Sequence, residues 1–395
     1  MSAQPAKTLE LQSLDQAALD EICVRHQRFM ESKPGGARAS LSRKDLSGLD
    51  LRGRNLRDAD LTGAVLTHCS LQGVMLDQAN LFGADLRNAD LTDASLRRAD
   101  LRGACLRNAN LSGADLFEAD LREGVIASAD KSQGLLVVDH AGRQGHLRKA
   151  NLTGAILERS TLSGVVAHRA DFTDAVLRDA NLSRANLKQC SLIGANLAGA
   201  DLSGADLAGA DLSDAILVGA KTTAWNISHT EMKGALTDLP PRPAQSATTL
   251  KAMIESHRHW VQTAGQAGQA AVLDGTDLRG LAGLAGSTLT ALSARRAIFY
   301  GMDLTGAQLQ GAHLDGADLR DCILTGADLR GVRLVGAKLS GAKLARANLS
   351  PLRLANGGTL ASDLSAACLR QADLTGANLE GIDLSEAETY GVFGI

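Results

Sequence analysis

Carboxylates recur along this chain at a spacing that could bring two of them together for acid–base chemistry. Asp60, Asp100 and Asp120 belong to one twenty-residue series with Asn80. Two carboxylates with different pKa values can serve as general acid and general base. The same series also fits a ladder of solvated side chains, with Arg102 and Arg122 nearby to compensate the charge. We expect the ladder, because the spacing repeats along the sequence and singles out no pair.

Histidines and cysteines are the other candidates for chemistry. The nine histidines are dispersed, and the six cysteines contain no C-x-x-C pair, so we expect reduced thiols. Three cysteines stand at small inward positions in place of Ala: Cys69, Cys190 and Cys322. Cys105 and Cys368 are expected to face outward. The fingerprints of zinc proteases, serine hydrolases and nucleotide-binding loops are absent. The sequence therefore predicts no enzyme, no cofactor and no metal site.

Composition narrows the class of protein further. The chain has 395 residues, a net charge of −3 at pH 7 and only 3% aromatic residues. A near-neutral balance is not typical of a nucleic-acid binder, and we expect no direct nucleic-acid partner. No apolar run approaches the roughly 18 residues of a membrane span, and the first residues lack the apolar core of a signal peptide. We predict a cytoplasmic protein without a membrane span.

A repeat of five residues must position all of these side chains. Leu occupies every fifth position from Leu46 to Leu121, and a small residue stands two places before almost every one from Leu61 onward. The period of five fits neither the 3.6 of a helix nor the 2 of a strand. A strict short period indicates a solenoid in which Leu and the small residue point inward. Asp or Asn before the Leu, and Gly two places after it, suit turns.

The repeat is interrupted and then resumes. A second run extends from Leu147 to Leu217, one residue out of phase with the first. A third run covers Leu304 to Leu349, and it continues after a break from Leu364 to Leu384. We expect the first interruption, residues 127–146, to be a protruding loop or hairpin. The second, residues 351–362, is shorter and keeps phase. Insertions on rigid scaffolds often carry binding residues, although both could be neutral.

The unit, as in Ala59-Asp60-Leu61 and Ala79-Asn80-Leu81, resembles the pentapeptide-repeat family. The resemblance implies an all-β solenoid: a right-handed quadrilateral β-helix with four pentapeptides per coil and a filled interior. Some members of that family resemble DNA in shape and charge and protect or inhibit DNA gyrase. Such mimicry needs a strongly negative rod, from which this chain departs.

A tandem duplication organises the chain. The segment around Leu19, His26 and Phe29 aligns without a gap with Leu250, His257 and Trp260. Both segments read as short amphipathic capping helices, the first beginning with a capping box at Ser13, and each His is expected to be half-buried and hydrogen-bonded to its first coil. The predicted divisions are 1–44 (tail and capping helix), 45–236 (first solenoid), 237–272 (Pro-containing linker and second helix) and 273–395 (second solenoid). Whether the solenoids form one rod is open.

Two surfaces are candidates for binding. Ile156, Val176 and Ile216 precede a Leu where Asp or Asn is usual, and Val218 adjoins them. Their spacing predicts an outward apolar stripe that contacts the chain itself, a partner or a second copy. The other candidate is a stretch rich in basic residues: Arg330, Arg333, Lys338, Lys343, Arg346 and Arg353. We expect Arg333 and Arg353 to stack on one wall, either solvated or facing an acidic partner or phosphate.

The function favoured by these observations is a non-enzymatic scaffold for protein–protein interaction, built on a rigid pentapeptide-repeat rod. The alternative is a DNA-mimic modulator of DNA gyrase or topoisomerase. The protein partner is unknown, and a homodimer is possible. The apolar end, 390–395, could close the last coil or form a dimer contact.

Overall fold

The computed structural model describes residues 11–124, 127–130, 134–137, 146–238, 246–281 and 283–394. The chain divides into two compact units, Met1–Asp238 and Leu239–Ile395, each with a core of its own. The elements of the first unit are β1 (Gln12–Ser13), α1 (Gln16–Met30), β2 (Lys44–Asp45), β3 (Ala127–Asp130) and β4 (Gly134–Val137). Those of the second are α2 (Ala247–Gln262), β5 (Leu352–Arg353) and β6 (Thr359–Leu360).

Parallel β-bridges join each coil of the repeats to the next. Asp60 bridges Asn80, Asn80 bridges Asp100 and Asp100 bridges Asp120, so one coil takes twenty residues, or four pentapeptides. The backbone N–H of Leu61 donates to the carbonyl of Asn80 at 2.7 Å, and this pattern recurs at nearly every Leu. The fold is therefore a repeat β-helix built from single bridges, and the predicted ladder of Asp and Asn side chains is confirmed.

The corners between bridges explain the turn residues. The second residue after the Leu has a positive φ in most pentapeptides, whether it is Gly63 (63°), Asp58 (58°) or His68 (59°). A side chain in this region costs about 1 kcal/mol, and the turn is closed by hydrogen bonds that offset part of it. Ala64 N–H donates to the Leu61 carbonyl at 3.0 Å, and Thr62 N–H donates to Asp60 Oδ1 at 3.0 Å.

The Leu of each pentapeptide and the small residue two places before it fill the interior. From Leu46 to Leu121 no Leu of the series is more than 2% exposed, and the small residues are equally buried from Ala59 onward. Cys69 takes an Ala position as predicted, and its Sγ lies 2.9 Å from the carbonyl of Leu46. Cys105, in contrast, is only 1% exposed, so its predicted outward position is wrong. Its bridge partner on the neighbouring coil is Asp85, whose carboxylate accepts a hydrogen bond from Arg87 at 2.6 Å.

Each unit begins with a helix that packs on its first coil. The amide of Gln16 donates to the carbonyl of Asp50 and accepts from its N–H, both at 2.9 Å, and so takes the place of a neighbouring strand. The prediction of a capping box at Ser13 is wrong, because Ser13 belongs to β1. Instead, Asp15 caps α1 by accepting a hydrogen bond from Ala18 N–H. Ser246 caps α2 by accepting from Thr249 N–H.

The insertions displace the bridge partners by different lengths. Asp115 bridges Ile156, forty-one positions later, so twenty-one residues more than a coil lie between them. Within this segment β3 and β4 pair antiparallel, Ala127 opposite Val137; residues 125–126, 131–133 and 138–145 lie outside the described part. Arg333 bridges Asp363, thirty positions later, because β5 and β6 form an antiparallel hairpin that leaves the coil.

Candidate interaction surfaces

Several of the carboxylates that stand directly before a Leu are held by an Arg two residues later. Asp100 receives two side-chain hydrogen bonds from Arg102, at 2.9 and 2.6 Å, and one from the Arg102 backbone. Burial alone would raise the pKa of Asp100, but these hydrogen bonds outweigh it and lower the pKa below its ordinary value. The same Asp-Leu-Arg clamp recurs at six other places in the described chain: Asp50, Asp85, Asp120, Asp277, Asp318 and Asp328. Among the described residues, no group of three or more His, Cys, Asp or Glu side chains could hold a metal ion.

The apolar residues before Leu do lie in one column, but the column is not uniformly exposed. Ile156 bridges Val176, Val176 bridges Asn196 and Asn196 bridges Ile216. Ile156, Val176 and the adjoining Val218 are half-buried, whereas Ile216 is only 2% exposed. The next place in this column is Leu236, itself 5% exposed, so two apolar side chains stack at its end.

Four of the six residues of the basic stretch in the second unit lie beside an acid of their own coil or of a neighbouring coil. Arg330 pairs with Asp328 at 2.6 Å, and Arg333 Nε lies 3.2 Å from Asp315. Lys338 is half-buried beside Asp318 and Cys368 in its column, and Lys343 lies in the column of Asp373. Of the remaining members, Arg346 is exposed at a corner with a φ of 59°, and Arg353 is exposed on β5.

The predicted stacking of Arg333 and Arg353 is wrong. Arg333 is followed in its column by Asp363, because the β5–β6 hairpin removes residue 353 from the coil. The hairpin lies on the wall of its own unit: a Cβ on Gly331 would stand 2.9 Å from Leu352 Cβ, and one on Gly311 would stand 3.7 Å from a Leu360 methyl. The two glycines therefore make room for the hairpin. Glycine is common at this corner position, so the sequence carried no signal for the docking.

The two cap histidines occupy equivalent environments, as the duplication predicted. His26 Nδ1 accepts from Ala39 N–H at 3.1 Å, and His257 Nδ1 accepts from Ala271 N–H at 3.1 Å. His26 Nε2 donates to the carbonyl of Arg57 at 2.9 Å, which fixes a neutral imidazole. Both rings are 0% exposed, so they are fully and not half buried, and burial lowers the pKa of both. Each stacks on the aromatic ring three residues later.

A cationic column on the first unit was not recognised from the sequence. We call Arg107, Arg148, His168 and Lys188 the basic column. Asn108 N–H donates to the carbonyl of Arg148, Lys149 N–H to that of His168, and Arg169 N–H to that of Lys188, which places the four in register on successive coils. The forty-one-residue step across the first insertion hides this alignment in the sequence; only the one-residue change of phase could have revealed it.

The C-terminal coil continues the repeat. Asp373 bridges Phe393, and Cys368 bridges Glu388, so the end of the second unit adds a further turn. Its inward residues are only half-buried, and Tyr390 and Phe393 are 48% and 61% exposed. No helix of the described chain is long and apolar enough to cross a membrane.

Comparison with known proteins identifies the repeat. The family model described as pentapeptide repeats matches in eight copies, over residues 45–83, 79–116, 146–179, 180–219, 284–321, 312–350 and 362–388. No curated protein sequence matches the chain.

Solved structures with similar repeats include three that differ in origin. A trypsin-treated variant of QnrB1, a plasmid-mediated fluoroquinolone resistance protein, is 18% identical, with 59% of this chain and 94% of that chain covered and a TM-score of 0.29. HetL, from the cyanobacterium Nostoc and involved in heterocyst differentiation regulation, is 23% identical, with 96% and 94% covered and a TM-score of 0.15. A thylakoid-lumen protein of Arabidopsis thaliana is 30% identical, with 34% and 69% covered and a TM-score of 0.16.

Proposed function

The chain belongs to the pentapeptide-repeat family, and from that premise we propose that it is a non-enzymatic scaffold for protein–protein interaction. One observation carries the proposal: Leu and small residues fill the interior, as Leu61 and Ala64 do at 1% and 0% exposure, so binding falls to the outer walls and insertions. The outward positions vary from coil to coil, whereas the inward ones do not. A constant frame with varied walls suits recognition of another protein.

We also propose the finer form of the fold and of its surfaces. Four bridged positions in each twenty-residue coil support a quadrilateral, right-handed β-helix, and the contacts of Gln16 and His26 support a capping role for the helices. The proposed divisions remain 1–44, 45–236, 237–272 and 273–395. As contact residues we propose the members of the two predicted surfaces that the structure leaves half-buried or exposed, which are all but Ile216: Ile156, Val176, Val218, Arg330, Arg333, Lys338, Lys343, Arg346 and Arg353. The cytoplasmic location and a homodimer remain predictions.

Affinity capture tests the scaffold directly. The full chain and a variant lacking residues 127–146 would be used as baits in lysate of the source cell, and each captured protein would be rebound in purified form. A variant lacking residues 351–360 tests the second insertion separately, since its hairpin carries the proposed contact residue Arg353. A purified partner that binds the full chain in fixed stoichiometry supports the scaffold. Absence of any such partner for the full chain contradicts it.

The same experiment separates the alternative of a DNA mimic. Recovery of gyrase or topoisomerase subunits from which added DNA displaces the chain would establish that alternative. The Asp-Leu-Arg clamps speak against it, because each guanidinium neutralises the carboxylate that a mimic would present as a phosphate.

A further inference from the structure

The basic column differs from the rest of the chain in what precedes each Leu. Elsewhere an Arg directly after Leu is often held by the Asp directly before it, as Arg87 is by Asp85 at 2.6 Å. In four successive coils of the basic column, that preceding place is taken by residues other than acids: Cys105, His146, Val166 and Asn186. Arg107 and Arg148 therefore lack the preceding Asp that holds an Arg at this place elsewhere.

The charges on the flanks strengthen this field. Lys149 and Arg169 follow column residues directly, and both are exposed. Arg169 Nε donates to the neutral amide of Gln189 at 2.7 Å, and at one end of the column Lys188 pairs with Asp206 at 2.9 Å. Among the described residues, no acidic side chain pairs with Arg107, Arg148, Lys149 or Arg169.

The pKa of His168, which lies within the column, reflects the positive charges around it. Burial is the largest cause that lowers the pKa of its imidazole, and the next three causes are the positive charges of Arg169, Arg148 and Lys188. No carboxylate acts on it, and the only opposing influence is a hydrogen bond with Gln189. The site is therefore positive on every side from which a charge reaches the ring.

We propose that the basic column, with Lys149 and Arg169, binds an extended acidic segment of a protein partner. Coils stacked at about 4.8 Å spread the four column residues over about 14 Å. An extended segment presents side chains on one face every ~7 Å, so two or three Asp or Glu residues match this length. The inference rests on the scaffold function proposed above and adds the chemistry of the partner.

An acidic protein segment fits better than a nucleic acid. The column and its flanks contain no Phe, Tyr or Trp side chain on which a base could stack. The chain as a whole carries a net charge of −3, which opposes non-specific binding to a long polyanion. A short acidic segment needs only the local field of the column.

Fluorescence anisotropy with the full chain tests the proposal. The probe is a labelled twelve-residue peptide of alternating Glu and Ser. Two unlabelled ligands compete with it: a twelve-residue peptide of alternating Lys and Ser, and a single-stranded DNA of twelve nucleotides. We expect the Glu peptide to bind and its affinity to fall with added salt. The double variant Arg148→Glu/Arg169→Glu is expected to weaken binding about tenfold or more.

A matched double variant controls for net charge. Arg184→Glu/Lys233→Glu changes two exposed cations of the same unit that lie outside the column and its flanks, and we expect its affinity to stay within about twofold. Equal thermal melting of both variants confirms that the fold is intact. No binding of the Glu peptide, equal weakening by both variants, or tighter binding of DNA than of the peptide each overturns the proposal.

The outcomes separate this inference from the scaffold itself. If affinity capture yields a stoichiometric partner whose binding is insensitive to Arg148→Glu/Arg169→Glu, the scaffold stands and the basic column is not its acidic-segment site. If no partner is captured although the Glu peptide binds, the basic column is a binding site for acidic segments, but the proposed scaffold function is wrong.

Discussion

Ion pairs of the same Asp-Leu-Arg motif contribute differently to the stability of the fold, because their side chains are buried to different extents. Asp85 and Asp50 both receive a bidentate Arg from two residues further on, but the Asp85 side chain is 4% exposed and the Asp50 side chain 45%. Removing one partner of a buried pair leaves a charge without compensation, whereas an exposed pair contributes little. Sequence alone could not separate the two, since both read Asp-Leu-Arg.

We therefore predict that Asp85→Asn lowers the free energy of unfolding by about 2 kcal/mol, measured by urea denaturation of the full chain. Asp50→Asn is the matched control, with the same chemical change in the same motif, and it should leave the denaturation midpoint nearly unchanged. Equal effects of the two substitutions would show that burial does not govern the clamp.

The cap histidines make stability depend on pH. Burial lowers the pKa of His26 and of His257 in the folded chain below the value of about 6.5 in the unfolded chain. The unfolded state then binds the proton more readily, so the stabilisation is full above that pH and is lost as pH falls below it. Around His26 the charged groups are Asp58 and Arg38; a proton on Nδ1 would meet the Ala39 N–H.

Urea denaturation midpoints at about pH 7.5 and pH 5.5 check this dependence. We expect the midpoint to fall at the lower pH, and the fall to shrink in His26→Gln/His257→Gln. His229→Gln, at an exposed corner, is the control and should retain the full dependence. A double variant with the pH dependence of the parent chain would remove the histidines as its cause.

At the scale of elements, the β5–β6 hairpin depends on a glycine of the wall beneath it. Gly331 is buried with a φ of 66°, and an added Cβ would lie 2.9 Å from Leu352 Cβ. Gly326 has a φ of 64° but nothing within 4 Å of an added Cβ. A comparison of substitutions at these two glycines therefore distinguishes the effect of steric contact from that of backbone strain.

We predict that Gly331→Ala releases the hairpin and destabilises the chain by about 2–3 kcal/mol, and that Gly326→Ala costs about 1 kcal/mol through strain alone. Limited proteolysis within residues 351–361 should become faster only in Gly331→Ala. If cleavage stays at the parental rate in both variants, the hairpin does not rest on Gly331.

Elements differ in how far the sequence predicted them. The coils could be predicted, because the repeat of Leu and Ala specifies the inward positions without reference to distant residues. The helices were also predicted, through the match of His26 with His257. The residues that follow an insertion in each column were not predicted. Arg353 was expected beside Arg333, whereas Asp363 takes that place. Register across an insertion depends on where the chain re-enters, which local pattern does not encode.

At the scale of the whole molecule, the two units carry separate cores. The buried cluster of the first unit runs from Leu19 to Leu217 and that of the second from Leu250 to Leu374, with no member in common. Each unit also has its own helix on its first coil. The duplication inferred from the sequence thus extends to a complete repeat of helix, cap histidine and coils.

We predict that residues 1–238 and 239–395, expressed separately, each fold. Circular dichroism and cooperative thermal unfolding of each fragment are the measurements, with the full chain for comparison. A fragment 1–200, which ends inside the first unit, is the control and should be less stable, because it loses the coils of Leu202 to Leu217. Failure of either complete fragment to unfold cooperatively would show that its core is not sufficient.

The bridges between successive coils also determine how the chain would yield to force. Pulling on its ends should peel the coils away one at a time, and each ordinary coil frees twenty residues, or about 70 Å of chain. A coil that carries an insertion frees more: about 105 Å where Arg333 is joined to Asp363, and about 140 Å where Asp115 is joined to Ile156. A single-molecule extension trace would therefore show equal steps interrupted by two longer ones, at places set by the insertions.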